Sequence, residues 1–288
     1  MEEKKRFSAA AVLAALGKAL CYLGLFLGCQ FLVSLVYSVA AALYAALAQG
    51  ISDPAALTRE IVRLVYACTG QISLFADLAV LLVLVLFFLL RKKDPLRETG
   101  AVPAPLSMTA AAAGLAPVLY LLVTLALGLL PEAWLESYAE ASAALSETGL
   151  VMVLSTVVAA PIAEEVLFRG LILSRLKRAM PGWLAVVISA LIFGLCHGHP
   201  VWMVYAFILG LFFGLMTLRS GSILPSLLAH FIFNGIGQLG SALEGAPINP
   251  WLVLGILALA GAVVCVLARK GLVALFRPHS IREENHNV

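Results

Sequence analysis

The sequence predicts an all-α, polytopic transmembrane helix bundle of about eight spans with both termini cytoplasmic. Hydrophobic residues make up 62% of the chain and charged ones only 12%, where a soluble domain carries about a quarter charged. The mean hydropathy of +1.02 excludes an ordinary globular protein. Apolar runs of about 20 residues, the length that crosses a bilayer as helix, recur along the chain. Lys and Arg cluster in short runs between them, so the net charge of +3 reads as a topology signal and gives no reason to expect a nucleic-acid partner.

Taken in order, the predicted spans run from about Leu20 to Leu47, Ile72 to Leu90, Met108 to Leu130, Leu150 to Leu173, Trp183 to Gly198, Val201 to Leu218, Ile223 to Leu239 and Trp251 to Ala268. The fifth and seventh are short and hold polar residues. Before the first, Ser8 to Ala19 reads as an interfacial helix interrupted by Lys18. The mixed charge of Met1-Glu-Glu-Lys-Lys-Arg and the position of Lys18 argue for a retained first span over a cleaved signal peptide. The outer connection from Pro131 to Gly149 has acidic and apolar residues, among them Trp134, Leu135, Tyr138 and Leu145, at a spacing that suits a short surface helix.

Orientation follows from the basic residues. With the amino terminus inside, the inner regions hold fifteen of the nineteen Lys and Arg, including Lys4, Lys5 and Arg6, Arg91 to Arg97, Arg175 to Arg178, and Arg282. Asp53, Glu60, Glu132, Glu136, Glu140, Glu147 and Glu244 fall outside. The organisation is then amino-terminal helices over 1–149, about three spans with the outer loop 131–149, a core over 150–240, and a last span and cytoplasmic tail over 241–288, polar from Pro278 onward. The cysteines Cys21, Cys29, Cys68, Cys196 and Cys265 lie in or beside apolar runs without paired spacing and read as small buried hydrophobes.

Polar residues inside these runs carry the chemistry. Ala160 to Gly170 places Glu164, Glu165 and Arg169 in an otherwise apolar segment, where each charge costs about 2.5 to 3.5 kcal/mol on insertion scales. Glu165 and Arg169 are four apart and share a helical face. Glu164, about 100° away, is left without a partner on its own helix. Pro161 removes a backbone donor and allows a kink beside that carboxylate. Two more i,i+4 pairs follow: Phe193 with His197, and His230 with Asn234. At 1.5 Å per residue, Glu164, His197 and His230 fall about 15, 20 and 10 Å from the cytoplasmic side. Each has a plain structural reading as an interhelical hydrogen-bond partner. Together they supply a base for water and donors for an oxyanion. His199, before Pro200 in an outer turn, reads as ordinary. Lys18, Arg63 and Asp77 read as pairing with one another or reaching the interface. The Gly24/Gly28, Gly194/Gly198 and Gly210/Gly214 pairs read as sites of close helix approach.

With Glu164-Glu165-x-x-x-Arg169, Phe193-x-x-x-His197 and His230-x-x-x-Asn234 in this order, the chain resembles the CPBP family of intramembrane proteases, the Rce1-like or Abi family similar to the type II CAAX prenyl endopeptidase. The resemblance covers about Leu150 to Leu239, and the first 150 residues carry no mark of it. It implies that Glu164 and His197 activate water, that His230 and Asn234 stabilise the oxyanion, and that Glu165 and Arg169 order the site, with Phe193 orienting His197. Two forms of the chemistry stand open: a metal-free glutamate base, favoured because no H-E-x-x-H pair fixes two ligands on one helix, and a divalent metal such as zinc on Glu164, His197 and His230. The substrate implied is a peptide or lipidated protein at a membrane, the plasma membrane in a prokaryote or the endoplasmic reticulum in a eukaryote. The alternative functions are a non-catalytic scaffold or bacteriocin immunity protein, and transport, which the lack of an inverted repeat of broken helices disfavours.

Overall fold

The computed structural model describes residues 8–143, 149–243 and 245–277. Expectations for Lys4, Lys5, Arg6, Leu145, Glu147, Glu244, Arg282 and the tail from Pro278 lie outside them. The described residues are all-α, with no strand. We number the helices α1 (Ala9–Leu43, continuing as a π-helical turn over Tyr44–Ala48), α2 (Pro54–Ala67), α3 (Thr69–Leu90), α4 (Pro95–Glu98), α5 (Leu106–Leu127), α6 (Glu132–Ala143), α7 (Leu150–Leu176), α8 (Gly182–Leu195), α9 (Pro200–Ser220), α10 (Leu224–Ala242), α11 (Pro250–Leu267) and α12 (Arg269–Phe276).

The starts of these helices are written locally. Asp53, Asp94, His199 and Asn249 each accept a hydrogen bond from a backbone N–H of the first turn with a side-chain atom, and each precedes a proline at the first helical position. There the missing N–H costs nothing, because the first turn has no intrahelical acceptor for it. Ser8 caps α1 in the same way. The surface helix expected in the outer connection is α6.

All eight apolar runs form helices, but six of those helices are both long and apolar enough to cross a membrane: the α1 helix with its π turn, α3, α5, α7, α9 and α11. The chain is an integral membrane protein. α8 has 14 residues, about 21 Å of rise, which falls short of a hydrocarbon core about 30 Å thick. α10 is long enough but carries His230, Asn234 and Gln238. A separate interfacial helix over Ser8 to Ala19 is not what forms. Ala9–Ala48 is one 40-residue helix, because nothing in that stretch breaks it, and Lys18 is accommodated by its long exposed side chain.

Two apolar clusters organise the bundle. The larger surrounds α7: Val166 to Leu173 pack against Ala19 and Phe26 of α1, Val80, Leu84 and Phe88 of α3, and Val186 and Phe193 of α8. The second joins α5, α9, α10 and α12 through Ala112, Leu119, Phe213, Ala229 and Leu275. Against these, α1 and α3 turn large apolar side chains outward, among them Phe31, Leu82 and Leu90. That is the surface a lipid-facing helix presents.

The glycine pairs divide. Gly194 and Gly210 do sit where α8 and α9 meet: a Cβ on Gly194 would stand 2.7 Å from the Met203 carbonyl oxygen, and one on Gly210 3.0 Å from Ala190. Gly24 and Gly28 face open space, so that pair permits no close approach here. The cysteines are all free, but only Cys265 is buried and Cys21 is exposed. Burial of the other four is therefore corrected: α1 is long and peripheral, so Cys21 has little protein to pack against. Arg63 pairs with Glu60 at 2.6 Å, and Asp77 is held by Gln30 and Ser73. This corrects the expected pairing of Lys18, Arg63 and Asp77, since Glu60 is a turn away from Arg63 on the same helix.

Candidate functional site

α7 is not a uniform α-helix. An α-helical turn at Leu150–Val153 gives way to a π-helical stretch at Leu154–Ala159, then α at Ala160–Glu164, then a second π stretch at Glu165–Leu173. Pro161 lies at the first turn of the short α segment, directly after the π stretch, so the irregularity takes the form of widened turns on both sides of the two carboxylates. Widened turns of this kind concentrate at functional positions because they release backbone groups and re-aim side chains. One released group is used at once: Asn234 Nδ2 donates to the Thr156 carbonyl oxygen at 2.8 Å, tying α10 to the first π stretch. Gly170 lets α7 pass the end of α4, since a Cβ there would collide with the Thr99 carbonyl oxygen.

All nine residues from Glu165 to Leu173 are buried, and the charges among them are matched. Arg169 Nη1 stands 3.1 Å from Glu165 Oε1, with both side chains at 1% exposure or less. The guanidinium lies over the Phe193 ring at 4.2 Å and faces Phe213 at 5.3 Å, so its planar faces are covered by π-systems where water is excluded. Ser226 Oγ donates to Glu165 Oε2 at 2.7 Å, and Thr217 Oγ1 lies 3.0 Å from that same serine oxygen. His230 Nδ1 donates to Glu165 Oε1 at 3.1 Å. Glu165 thereby collects an arginine, a hydroxyl and an imidazole.

Glu164 receives none of these. Its nearest ionisable partner is His230 Nε2 at 3.6 Å from Oε2, outside direct hydrogen-bond range, and its side chain keeps 18% exposure where Glu165 has none. One imidazole thus bridges the two carboxylates, hydrogen-bonded to the satisfied one and facing the unsatisfied one. The ring is held between Phe213 at 4.9 Å and Phe193 at 6.1 Å. His197, at the end of α8, donates from Nδ1 to its own Phe193 carbonyl at 2.8 Å and packs edge-on to that ring at 4.7 Å. Nε2 is the ring's remaining nitrogen and has no hydrogen-bond partner among the described residues. Among the described residues no direct hydrogen bond joins His197 to Glu164, although His230 and Arg169 are close enough for their charges to act on it. His199 caps α9, bonds Ser137 and stacks near Trp202, a structural role.

Three partners escaped the sequence reading. Thr217 and Ser226 are ordinary residues in apolar helices and carry no signal beyond polarity. Asp77 had one: an acid in an apolar run with no cation three or four residues away. It is 1% exposed, accepts from Gln30 Nε2 at 3.1 Å and Ser73 Oγ at 3.4 Å, and sits on α3, which packs along α7. The amino-terminal half therefore reaches the site through α1 and α3.

The metal alternative was tested on this donor set. Among the described residues no three His, Cys, Asp or Glu side chains group closely enough to hold an ion. Glu164, His197 and His230 as placed do not fit a three-ligand zinc site, and no step below is routed through one.

Fold and site together define a polytopic membrane protein with a matched Glu–Arg–His–Ser cluster and one unmatched carboxylate in its interior. Residues 146–236, about a third of the chain, are similar to the family model described as type II CAAX prenyl endopeptidase Rce1-like. No curated protein and no solved structure matched the chain.

Proposed function

We propose that the chain is an integral membrane endopeptidase that hydrolyses a peptide bond in a membrane-associated peptide or lipidated protein, with its termini on the cytoplasmic side. The observation that carries this reading is the inequality of adjacent carboxylates: Glu165 is saturated, while Glu164 is partly exposed beside an imidazole nitrogen and has no cation of its own. In this mechanism Glu164, helped by the unprotonated His197 Nε2, takes a proton from water as its oxygen bonds to the scissile carbonyl carbon. Negative charge then develops on the carbonyl oxygen. The second N–H of the Asn234 amide donates to it, beside the His230 ring that Glu165 holds in place. Collapse of the intermediate breaks the C–N bond, and the proton held by the base passes to the leaving amine. Glu165 and Arg169 fix the His230 ring and do not touch substrate, while Phe193 positions both Arg169 and His197.

The test is cleavage of a prenylated CAAX peptide, with its unprenylated counterpart alongside, by purified protein in lipid. Wild type is expected to cleave one or both, and the Glu164→Gln, His197→Ala and His230→Ala variants to lose the activity. Wild-type turnover in a folded Glu164→Gln variant would overturn the mechanism.

A further inference from the structure

A second site lies away from these residues. An open-sided cavity of about 930 Å³ lies between α1, α3, α4 and the end of α7, within the volume range of small-molecule sites. None of the Glu164, Glu165, Arg169, His197, His230 or Asn234 side chains lines it. Five cations do, Lys18, Arg91, Lys93, Arg175 and Arg178, against one carboxylate, Glu98. Glu98 is already occupied: Lys93 Nζ stands 2.8 Å and Arg175 Nη2 3.1 Å from its two oxygens. Lys18, Arg91 and Arg178 make no salt bridge among the described residues, and Arg91 leans on the Phe87 ring at 5.2 Å.

The remaining wall is apolar, with Leu25, Val83 and Phe87 at its centre. It continues onto outward-facing surface of the same two helices, where Leu20, Leu86 and Leu90 are exposed. A mouth that is cationic at the helix ends and apolar along the helix flanks matches an amphiphile with an anionic head. We propose that this cavity binds an anionic phospholipid, its phosphate among Lys18, Arg91 and Arg178 and its acyl chain along Val83 and Phe87. Charge complementarity selects the head: three cations without internal partners sit where the apolar spans end and lipid phosphates lie. The apolar flank selects a lipid over a soluble anion, which has nothing to place there.

The experiment titrates purified full-length protein in detergent with short-chain phosphatidylglycerol, phosphatidylcholine or inorganic phosphate, reading the unfolding temperature and the apparent affinity. Phosphatidylglycerol is expected to bind and stabilise, with phosphatidylcholine and phosphate much weaker. The Lys18→Gln, Arg91→Gln, Arg178→Gln triple variant should bind about a hundredfold more weakly, at roughly a fivefold loss per cation. Lys92→Gln with Arg97→Gln, neighbouring cations outside the cavity, should bind as wild type. Should the triple variant fail to fold, Lys18→Gln alone, at an exposed position, carries the test with an expected loss of about fivefold. Equal binding of the two lipids, equal binding by the cavity and control variants, or full competition by inorganic phosphate would overturn the proposal. An acidic peptide that displaced the lipid completely while phosphatidylglycerol gave no stabilisation would overturn it as well.

Discussion

Glu98 and Glu165 perform the same electrostatic task in two surroundings. Each neutralises an arginine and one further basic group: Arg175 and Lys93 for Glu98, Arg169 and His230 for Glu165. Glu98 keeps 23% of its side chain exposed and Glu165 keeps none. Water can replace any partner that Glu98 loses, so its network is adjustable and its members need only approximate geometry. Nothing replaces a partner of Glu165. Its site is therefore closed by a hydroxyl, an imidazole and two aromatic faces over the guanidinium, and the ring of His230 is fixed as a by-product. What the interior network supplies is that fixed ring, facing the one carboxylate left outside the network.

The largest effect that would break this comparison is on activity. Glu164→Gln removes the proposed base while leaving the Glu165 network intact, so peptidase turnover is expected to fall by about 10² to 10⁴-fold with unfolding temperature near wild type. An equal loss of stability would mean that Glu164, too, is structural. Next comes the interior pair itself. Arg169→Met leaves a buried carboxylate uncompensated and should cost about 3 to 5 kcal/mol, measured by thermal or denaturant unfolding in micelles. The Arg169→Met, Glu165→Leu double variant removes both charges and should recover much of that loss without recovering activity, because His230 then has no anchor. A smaller effect is expected at Asp77. Gln30→Leu deletes the shorter of its two hydrogen bonds and leaves the 3.4 Å contact with Ser73, at a cost of about 1 to 3 kcal/mol for an under-satisfied buried group.

The difference between the two networks also marks what the sequence could disclose. Glu165 and Arg169 are four apart, so their pairing was legible from helical period, and with it the isolation of Glu164. His230 and Asn234 were legible as sharing a face, and both do reach α7. Which atoms they reach was not. Asn234 donates to the Thr156 carbonyl in the π stretch, an irregularity that a run of apolar residues does not advertise and that α10 helps to hold. Asp77 is brought to the α7 side of the bundle because α3 packs along α7, and the sequence, with no cation a turn away from it, did not disclose its partners Gln30 and Ser73. The span count differs for a related reason: α8 is apolar and turns Trp183, Leu191 and Leu195 outward, but with 14 residues it is too short to cross, and hydropathy reports apolarity and not length.

The smallest effect belongs to Glu98, where the comparison is sharpened. Lys93 first, and then Arg175, hold its carboxyl below the usual carboxylate range. A depressed folded-state value means that the unfolded chain binds the proton more readily, so the contribution of Glu98 to stability is fully present above its ordinary value near 4.5. It is lost as pH falls through the lower folded value. Partial exposure limits its size to about 1 kcal/mol or less. Glu98→Gln should therefore lower stability slightly at pH 7 and leave it unchanged relative to wild type once pH is well below the folded value, in unfolding curves recorded across that range. High salt should shrink the difference at pH 7, because the Glu98 pairs are reachable by counter-ions. The Arg169→Met loss should hardly respond to salt, because its partner is sealed from them. If both responded alike, the distinction between a solvent-replaceable and an irreplaceable carboxylate would fail.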